Sequence, residues 1–448
     1  MIFDSKSKII KFIFIVAVVI TALNFVVDIY NTINFPGTDL RNRVVGARLA
    51  LAGIDPYFFK WHPGLPEIFY DPMDNPEEIL SKLSVPPTII ALHSPIAGLT
   101  YLQQKLVWLI IQWTTFAGII LIFFNSCKSQ TRQNLILIIG FFFANGLFWK
   151  FHVNSGQIYI VYVGLLSVSW LFLNQKFKYS QAASGFFAGI TASLRPPYIL
   201  LFPLFLVRRQ YLFVAGGIAG ILSSILLSIA VTGTFIWRQY VLTMMGMTGF
   251  IDLQKIMPKP SAASIAEAAN YSPVVEGIDF QIRNILEEYL LSESSLRGVL
   301  VALDMPNKKA ILVVSFLITF AILFWFGVRY SLKQTDANLV FLASVVLCLV
   351  SEFFIPISRY SYYDVQWLLP LLIIVSLADN KKLLNSKLIW LLIIGLVLNV
   401  CQFTLFEHSL FFSTYFIASF VFFTTILLFR NNHLKPLNIN AAGSASNF

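Results

Sequence analysis

The sequence predicts an all-α polytopic membrane protein, a bundle of about twelve helices with two large loops on one face. Two observations lead to this fold class. Of the 448 residues, 57% are hydrophobic and only 12% are charged, with a mean hydropathy of +0.75, whereas soluble domains carry about 25% charged residues. The apolar residues are also gathered into runs separated by short basic segments. A soluble enzyme and a disordered chain are excluded, and three cysteines without a CxxC spacing exclude a secreted disulfide scaffold.

Ten apolar runs are dense enough to enter or cross a bilayer, for which a helix needs roughly 20 residues. They are 9–29, 103–125, 135–149, 158–173, 211–231, 310–328, 338–354, 365–378, 388–405 and 410–429. The first run follows three lysines and has no cleavage-site pattern, so we expect a retained helix and not a removed signal peptide. Two further stretches are ambiguous, namely Val85–Tyr101, which contains three prolines, and Ala182–Val207, which is broken at Arg195-Pro196-Pro197.

The positive-inside rule predicts the orientation. Assigning the short basic segments to the cytoplasm places 16 basic and 3 acidic residues there, against 16 basic and 19 acidic residues outside. Both termini are then cytoplasmic. Ala182–Val207 becomes a hairpin that enters the membrane from the inside, with Arg195 near the outer face. Val85–Tyr101 is re-entrant or lies on the outer surface. A rival topology makes both stretches single spans, but it puts four basic residues outside. These are Lys128, Arg132, Lys176 and Lys178.

This orientation leaves two long loops outside, 30–85 and 232–309, in a single membrane domain of residues 1–435. Residues 259–273 and 280–303 of the second loop have the pattern of two helices, and the second of them is expected either to cover the acceptor site or to be a purely structural cover. Residues 436–448 are expected to be a disordered cytoplasmic tail.

The first outer loop begins GTDLRNRVVGARLALAGIDPY, residues 37 to 57. Thr38 or Asp39 can cap a helix that ends at Gly53, and Asp55-Pro56 then turns the chain. The alternation of apolar residues with arginines predicts an amphipathic helix lying on the outer interface, with its arginines toward water and headgroups. Asp39 is either a simple N-cap or a reactive carboxylate just above the membrane.

A membrane-exit helix, an Asp, an amphipathic helix and a Gly-Ile-Asp-Pro-Tyr turn together resemble the first loop of the GT-C superfamily of polyprenyl-phosphate-sugar-dependent glycosyltransferases. The closest resemblance is to glycosyltransferase family 87, which includes polyprenyl-phosphomannose-dependent mannosyltransferases. Four later stretches fit in order, with Arg195 where the family usually has Lys and Tyr362 near its usual His. They are VPPTIIALHSPIAGL, NSGQIYIVYVGLL, SGFFAGITASLRPPYILLFPLFLVRRQ and PISRYSYYDVQWLLP.

The resemblance implies an inverting transfer of a sugar, mannose or another hexose, from polyprenyl phosphate to a lipid or glycan acceptor on the outer face of a bacterial inner membrane. The phosphate is already a good leaving group, so the reaction needs a base for the acceptor hydroxyl and cations for the phosphate. The resemblance makes Asp39 the expected base. No cofactor or metal ligand set is expected, since the five histidines match no metal spacing, although a divalent ion at the phosphate remains open.

Further candidates for substrate contact lie near the predicted outer face. Arg195 and Arg359 are candidate phosphate ligands, although either can be an interfacial arginine, and Glu352 is expected to pair with Arg359. Asp28, at the outer end of the first helix, is a rival carboxylate or a headgroup contact. The remaining candidates either contact the sugar or belong to the membrane interface. They are Tyr362, Tyr363, His152 and Gln157.

Two other functions remain open. A transporter or flippase of lipid-linked sugars would need charges near the middle of its helices, which most internal runs lack. An oligosaccharide polymerase or ligase shares the large outer loop but needs no Asp at the head of the first loop. The absence of a P-loop and of GxGxxG disfavours a nucleotide-binding site, and the net charge of +10 reflects orientation in the membrane and not nucleic-acid binding.

Overall fold

The computed structural model describes residues 8–247, 250–255, 274–279, 295–297, 300, 303–305, 308–331, 336–354, 359–378, 383–384, 386–401 and 409–430. Helices dominate these ranges. They are α1 (Lys8–Asn34), α2 (Thr38–Leu51), α3 (Pro87–His93), α4 (Tyr101–Ser126), α5 (Gln130–Ala144), α6 (Leu147–Asn154), α7 (Tyr159–Leu173), α8 (Ser180–Leu194), α9 (Phe202–Val207), α10 (Tyr211–Met247), α11 (Lys308–Ser331), α12 (Ala337–Ser351), α13 (Leu368–Leu377), α14 (Ile389–Val400) and α15 (Ser409–Arg430). The strands are β1 (Val274–Val275) and β2 (Ile278–Asp279), which pair antiparallel.

Within the described ranges, five helices are long and apolar enough to cross a membrane. They contain Phe12–Asn34, Tyr101–Ser126, Tyr211–Met247, Ala337–Phe354 and Leu410–Arg430, and the pair α5–α6, bent by 53°, makes a sixth if it is one span. Five shorter apolar segments of 10–17 residues accompany them. The predicted helical class, with several helices that could cross a membrane, is therefore confirmed for the described residues, while the count of about twelve stays a prediction.

The chain reverses direction at Arg195. Because the residue before a proline is driven out of the helical region, Arg195 is extended (φ −139°, ψ 97°) and α8 ends there. A 3-10 segment, Pro196–Leu201, and α9 then bring the chain back. Helices α8 and α10 consequently run parallel and pack so closely that a Cβ built on Gly189 would lie 2.1 Å from the backbone oxygen of Gly217. This is the geometry of the predicted hairpin, with Arg195 at its tip.

Helix α2 is buried and does not lie amphipathically on the surface, so that prediction is wrong. Arg41 and Arg48 are 0% and 8% exposed, and both donate to backbone carbonyls of the first loop, Arg41 to Tyr70 O (2.9 Å) and Arg48 to Ile68 O (3.0 Å). The guanidinium N–H groups donate to loop carbonyls that have no helix or sheet partner, so these arginines can be buried without hydrogen bonds to water. The small residues of α2 let α3 and the loop pack closely, and Leu83 lies directly over Gly46.

The second outer loop contacts α2 through an ion pair. Helix α10 continues beyond its predicted end through a break at Gly233 (φ 80°, ψ 164°). The turn between β1 and β2 places Glu276 (φ 52°) so that its carboxylate bridges Arg41 Nη1 (2.6 Å) and Arg48 Nη2 (3.1 Å). The two outer loops therefore meet on one face of α2. The predicted loop helices at 259–273 and 280–303 and the tail at 436–448 fall largely or wholly outside the described residues.

Candidate active site

Asp39 lies in the first turn of α2, and its carboxylate contacts Gln157 of a later segment. The N-cap is Gly37 in the left-handed conformation (φ 64°), and no side chain caps the helix, so the predicted capping by Thr38 or Asp39 is wrong. The side-chain amide of Gln157 donates to Asp39 Oδ2. Oδ1 has no hydrogen-bond partner among the described residues, so one carboxylate oxygen is held and the other is open.

A turn at Gly156-Gln157 brings α2 to the helix bundle. Gly156 adopts φ +68°, and a Cβ built on it would lie 2.5 Å from Leu40 Cβ. The backbone N–H of Leu40 also donates to Ser155 O at 3.2 Å. Glycine is needed here both for the left-handed backbone and for the close approach of α2. The position of Asp39 therefore depends on this turn, more than 110 residues later in the chain.

Arg43 occupies the other side of Gln157. Its Nη2 donates to Gln157 Oε1 (2.5 Å) and its Nη1 donates to Gly156 O (2.9 Å). Arg43 is 6% exposed, and no carboxylate of the described residues lies within ion-pair distance of it. One amide thus separates a buried cation from Asp39.

The environment of Asp39 acts on its acidity in both directions. Burial raises the pKa of the Asp39 carboxyl above its ordinary value, and the charge of Arg43 is the largest opposing influence. The charge of Asp71 raises this pKa further, while the hydrogen bond from Gln157 and the charge of Lys82 lower it. A carboxylate with a raised pKa is a stronger base than an exposed one, provided that it stays ionised.

Arg195, at the tip of the hairpin, lies against two aromatic rings that also contact each other. Its guanidinium carbon is 4.7 Å from the ring centroid of Tyr159 and 4.9 Å from that of Tyr363. Nε donates to Glu352 Oε1 (2.7 Å) and Nη1 donates to the Tyr159 hydroxyl (3.3 Å). Nη2 has no hydrogen bond among the described residues, and the side chain is 17% exposed. Arg195 is therefore held by its neighbours and keeps an open donor face.

Arg359 is held more tightly than Arg195. It is 2% exposed, and its Nη2 donates to Asp364 Oδ1 at 2.6 Å. The predicted pairing with Glu352 is present only at 3.9 Å, since Glu352 approaches Arg195 more closely, at 2.7 Å. Arg359 also lies over the ring of Phe353, at 4.4 Å. In this structure Arg359 organises the protein interior and is not open to a phosphate.

Tyrosines connect Arg195 to Asp39. Tyr362 and Tyr363 belong to the 3-10 segment Ser361–Trp367, and their rings stack with centroids 5.1 Å apart. The ring centroids of Tyr363 and Tyr159 are 4.3 Å apart. Tyr362 is also within electrostatic range of Asp39. The structure therefore brings together five residues that the sequence analysis selected. They are Asp39, Gln157, Arg195, Tyr362 and Tyr363.

His152 and Asp28 lie behind this group, and the structure does not support their expected contact with substrate. His152 is fully buried, its Nε2 accepts from the Ile160 N–H (3.1 Å), and its Nδ1 is 3.3 Å from Gln112 Nε2. Asp28 is also fully buried, and its Oδ2 accepts from the indole N–H groups of Trp113 and Trp149, both at 3.0 Å. Both polar groups join helices in the bundle and are closed to a ligand. Gln157 likewise engages protein with both ends of its amide.

A cleft opens along α2 one turn beyond Asp39. Asn42 and Gly46 follow Asp39 at helical spacings of three and seven and therefore share its face. With Asp71, Trp61 and other loop-one residues they line a space of about 300 Å³ counted out to open solvent. The Asn42 amide donates to Asp71 Oδ2 at 2.6 Å. Among the described residues no group of three His, Cys, Asp or Glu side chains is arranged to hold a metal ion.

These features define a helical protein with several helices that could cross a membrane, whose polar site combines an open carboxylate oxygen, a held arginine and tyrosines. A comparison with sequence models of protein families matches residues 85–352 to the family described as Glycosyltransferase family 87. The match covers more than half of the chain, which therefore belongs to glycosyltransferase family 87 and is a glycosyltransferase. No curated protein and no solved structure shows a significant match. Gln157, Arg195 and Glu352 lie inside the matched range, while Asp39 precedes it.

Sequence reasoning missed Arg43, because it assigned all three arginines of α2 to water. A signal was present in the small residues Gly46, Ala47 and Ala50, which share one side of a short helix. Small residues let neighbouring segments approach a helix closely, which favours its burial. The arginines then had to find partners inside the protein.

Proposed function

We propose that this protein is an inverting glycosyltransferase that moves a hexose, with mannose as the first choice, from a polyprenyl-phosphate donor to a lipid or glycan acceptor. Transfer takes place on the outer face of a bacterial inner membrane, with both termini in the cytoplasm. The observation that carries the proposal is the open Oδ1 of Asp39, on a helix docked to the Gly156-Gln157 turn of the family segment.

The chemistry is a single displacement. The acceptor oxygen attacks the anomeric carbon, its proton passes to Asp39 Oδ1, and the bond from the anomeric carbon to the phosphate oxygen breaks with its electron pair on the phosphate. One step of this kind inverts the anomeric carbon, as in inverting glycosidases. The phosphate needs no protonation to leave, so one base suffices. The proposal includes no cofactor.

Arg195 is the proposed ligand of the donor phosphate. Its ion pair with Glu352 and its contacts with the rings of Tyr159 and Tyr363 fix the guanidinium group, while Nη2 stays open. A fixed guanidinium loses little entropy when it donates to a phosphate oxygen. Tyr362 and Tyr363, between Arg195 and Asp39, are the proposed contacts of the transferred sugar.

The acceptor is proposed to enter along the cleft beside Asn42 and Asp71. The cleft begins on the same helix face as Asp39 and combines aromatic with carboxylate and amide side chains. Aromatic faces pack on sugar rings, and carboxylate and amide groups bind hydroxyls. An acceptor in this cleft would present its terminal hydroxyl toward Asp39.

The test uses membranes that contain the full chain, radiolabelled polyprenyl-phosphate mannose and a lipid extract as acceptor. Asp39→Asn should lower the transfer rate about 10²–10⁴-fold, the usual contribution of a general base. Asp55→Asn is the matched control, because Asp55 lies in the same loop and Asn can also accept from the Tyr57 N–H. Transfer that survives Asp39→Asn within a few-fold would refute the base.

A transporter or flippase of lipid-linked sugars is the alternative class, and an oligosaccharide polymerase or ligase is another. Movement of labelled donor across proteoliposomes, without transfer from any polyprenyl-phosphate sugar, would favour transport over the proposal. Transfer of preassembled oligosaccharide that ignores Asp39→Asn would favour a ligase.

A further inference from the structure

Gln157 is oriented unambiguously between Arg43 and Asp39. Its amide nitrogen faces the Asp39 carboxylate, because only a donor can bind there, and its amide oxygen accepts from Arg43 Nη2. Reversing the amide would point a donor at the guanidinium and an acceptor at the carboxylate. The two charged neighbours therefore select one amide orientation.

The backbone of Gln157 is fixed as well. Its carbonyl oxygen accepts from Trp108 Nε1 (3.1 Å) and from Gln112 Nε2 (2.9 Å), both on α4. Its N–H donates to His152 O at 2.9 Å. Gln157 is thus tied to α4 and α6 by its main chain and to α2 by its side chain, so it holds the Asp39 carboxylate in one place.

Arg43 supplies a positive charge that Gln157 keeps from direct contact with Asp39. A direct ion pair would occupy the carboxylate and weaken it as a base, whereas no cation at all would let burial favour the neutral acid. Burial lowers the pKa of His93, and the charge of Arg43 lowers it further. The other charged or titratable groups facing Asp39 are Asp71 and Lys82 from the first loop, Tyr101 from α4 and Tyr362 from the segment after α12.

We propose that Arg43 and Gln157 are positioning residues, which keep Asp39 ionised through an amide bridge and leave its Oδ1 free for the acceptor proton. The inference rests on the proposed role of Asp39 as the base. In this inference Gln157 binds other protein groups and not the substrate. Arg43 contacts no reacting atom and acts through its charge.

The experiment measures the protonation of Asp39 directly. Dicyclohexylcarbodiimide reacts with protonated carboxyl groups in apolar surroundings, so the pH dependence of labelling at Asp39, read by peptide mass spectrometry on the purified full chain, gives a midpoint. Arg43→Gln should raise this midpoint by about 1 pH unit or more, the effect of losing a nearby opposite charge. The acidic limb of the transfer rate should move to higher pH by the same amount.

Three variants complete the test. Arg48→Gln is the matched control, since Arg48 is a buried arginine of α2 bound to loop carbonyls and Glu276, and its midpoint should equal that of the wild type. Arg43→Lys keeps the charge and should keep the midpoint. If Arg43→Gln does not fold, Gln157→Glu, which is isosteric, should raise the midpoint by replacing the donor with a second carboxylate.

The outcomes separate this inference from the proposed function. An unchanged midpoint in folded Arg43→Gln or Gln157→Glu, with transfer still dependent on Asp39, overturns the positioning role alone. Transfer that tolerates Asp39→Asn overturns the base and the inference together, whatever the labelling shows. A shifted midpoint together with a shifted acidic limb supports the inference.

Discussion

Replacing Gly156 with Ala tests whether the turn after α6 sets the position of Asp39. The backbone there has φ +68°, which costs an L-residue with a Cβ about 1–2 kcal/mol. The new Cβ would also lie 2.5 Å from Leu40 Cβ, and an overpacked contact of this kind costs about 1–3 kcal/mol. Together these predict a loss of roughly 2–5 kcal/mol in the free energy of unfolding. Relief of the clash would move the first turn of α2, and a 1 Å displacement of a catalytic group can cost about 100-fold in rate.

The assay compares the free energy of unfolding in mixed detergent micelles with the rate of sugar transfer. Gly118→Ala is the matched control, because Gly118 lies inside α4 with nothing within 4 Å of the added Cβ. Alanine there should be neutral or stabilise the helix by up to about 1 kcal/mol. If Gly156→Ala is as stable and as active as Gly118→Ala, α2 is not held by this turn and the account of the site is wrong.

Three other perturbations give separable results. Glu276→Gln removes the carboxylate shared by two buried arginines and should lower the free energy of unfolding by about 1.5–3 kcal/mol; hydrogen exchange at 274–279 that matches the wild type would contradict the ionic contact. Asp28→Asn keeps an acceptor for its two indole donors, whereas Asp28→Leu leaves both unpaired and should cost about 2–6 kcal/mol; equal stability of the two variants would rule out this role. Burial lowers the pKa of His93 from 6.5 to about 3. Only the unfolded chain then takes up a proton in that interval, so stability falls as the pH drops from 6.5 toward 3; His93→Gln should flatten the slope, and an unchanged slope would show that His93 does not titrate as described.

The helices were predictable from the sequence because hydrophobicity is a local property. The runs 103–125 and 410–429 correspond to α4 and α15 within a few residues. The reversal at Arg195 was also predictable, because two prolines end a helix whatever surrounds them. The extension of α10 past Gly233 was not predictable from the sequence, because it depends on the packing of α10 against α3.

The site was predictable only in part. Asp39 and Arg195 could be selected from local context and family resemblance, and the structure places both in one region with Tyr362 and Tyr363. The connection of Arg43 through Gln157 could not be selected, since residues more than 110 positions apart in the chain determine it. Periodicity describes which residues share a helix face, but it does not show what covers that face.

The buried contact of Asp28 has a consequence for the synthesis of the protein. Its two partners, Trp113 and Trp149, follow it by 85 and 121 residues. At about 5–20 residues per second, the second tryptophan is made roughly 6–24 s after Asp28. Until then α1, whose apolar window is only 6% buried even in the finished fold, must hold an acid near its outer end without its indole partners, which is unfavourable in a membrane. The first helix therefore reaches its final stability in the bilayer only after α4 and α6 have been made. In nascent chains that end before residue 113, α1 should be least stable in the membrane.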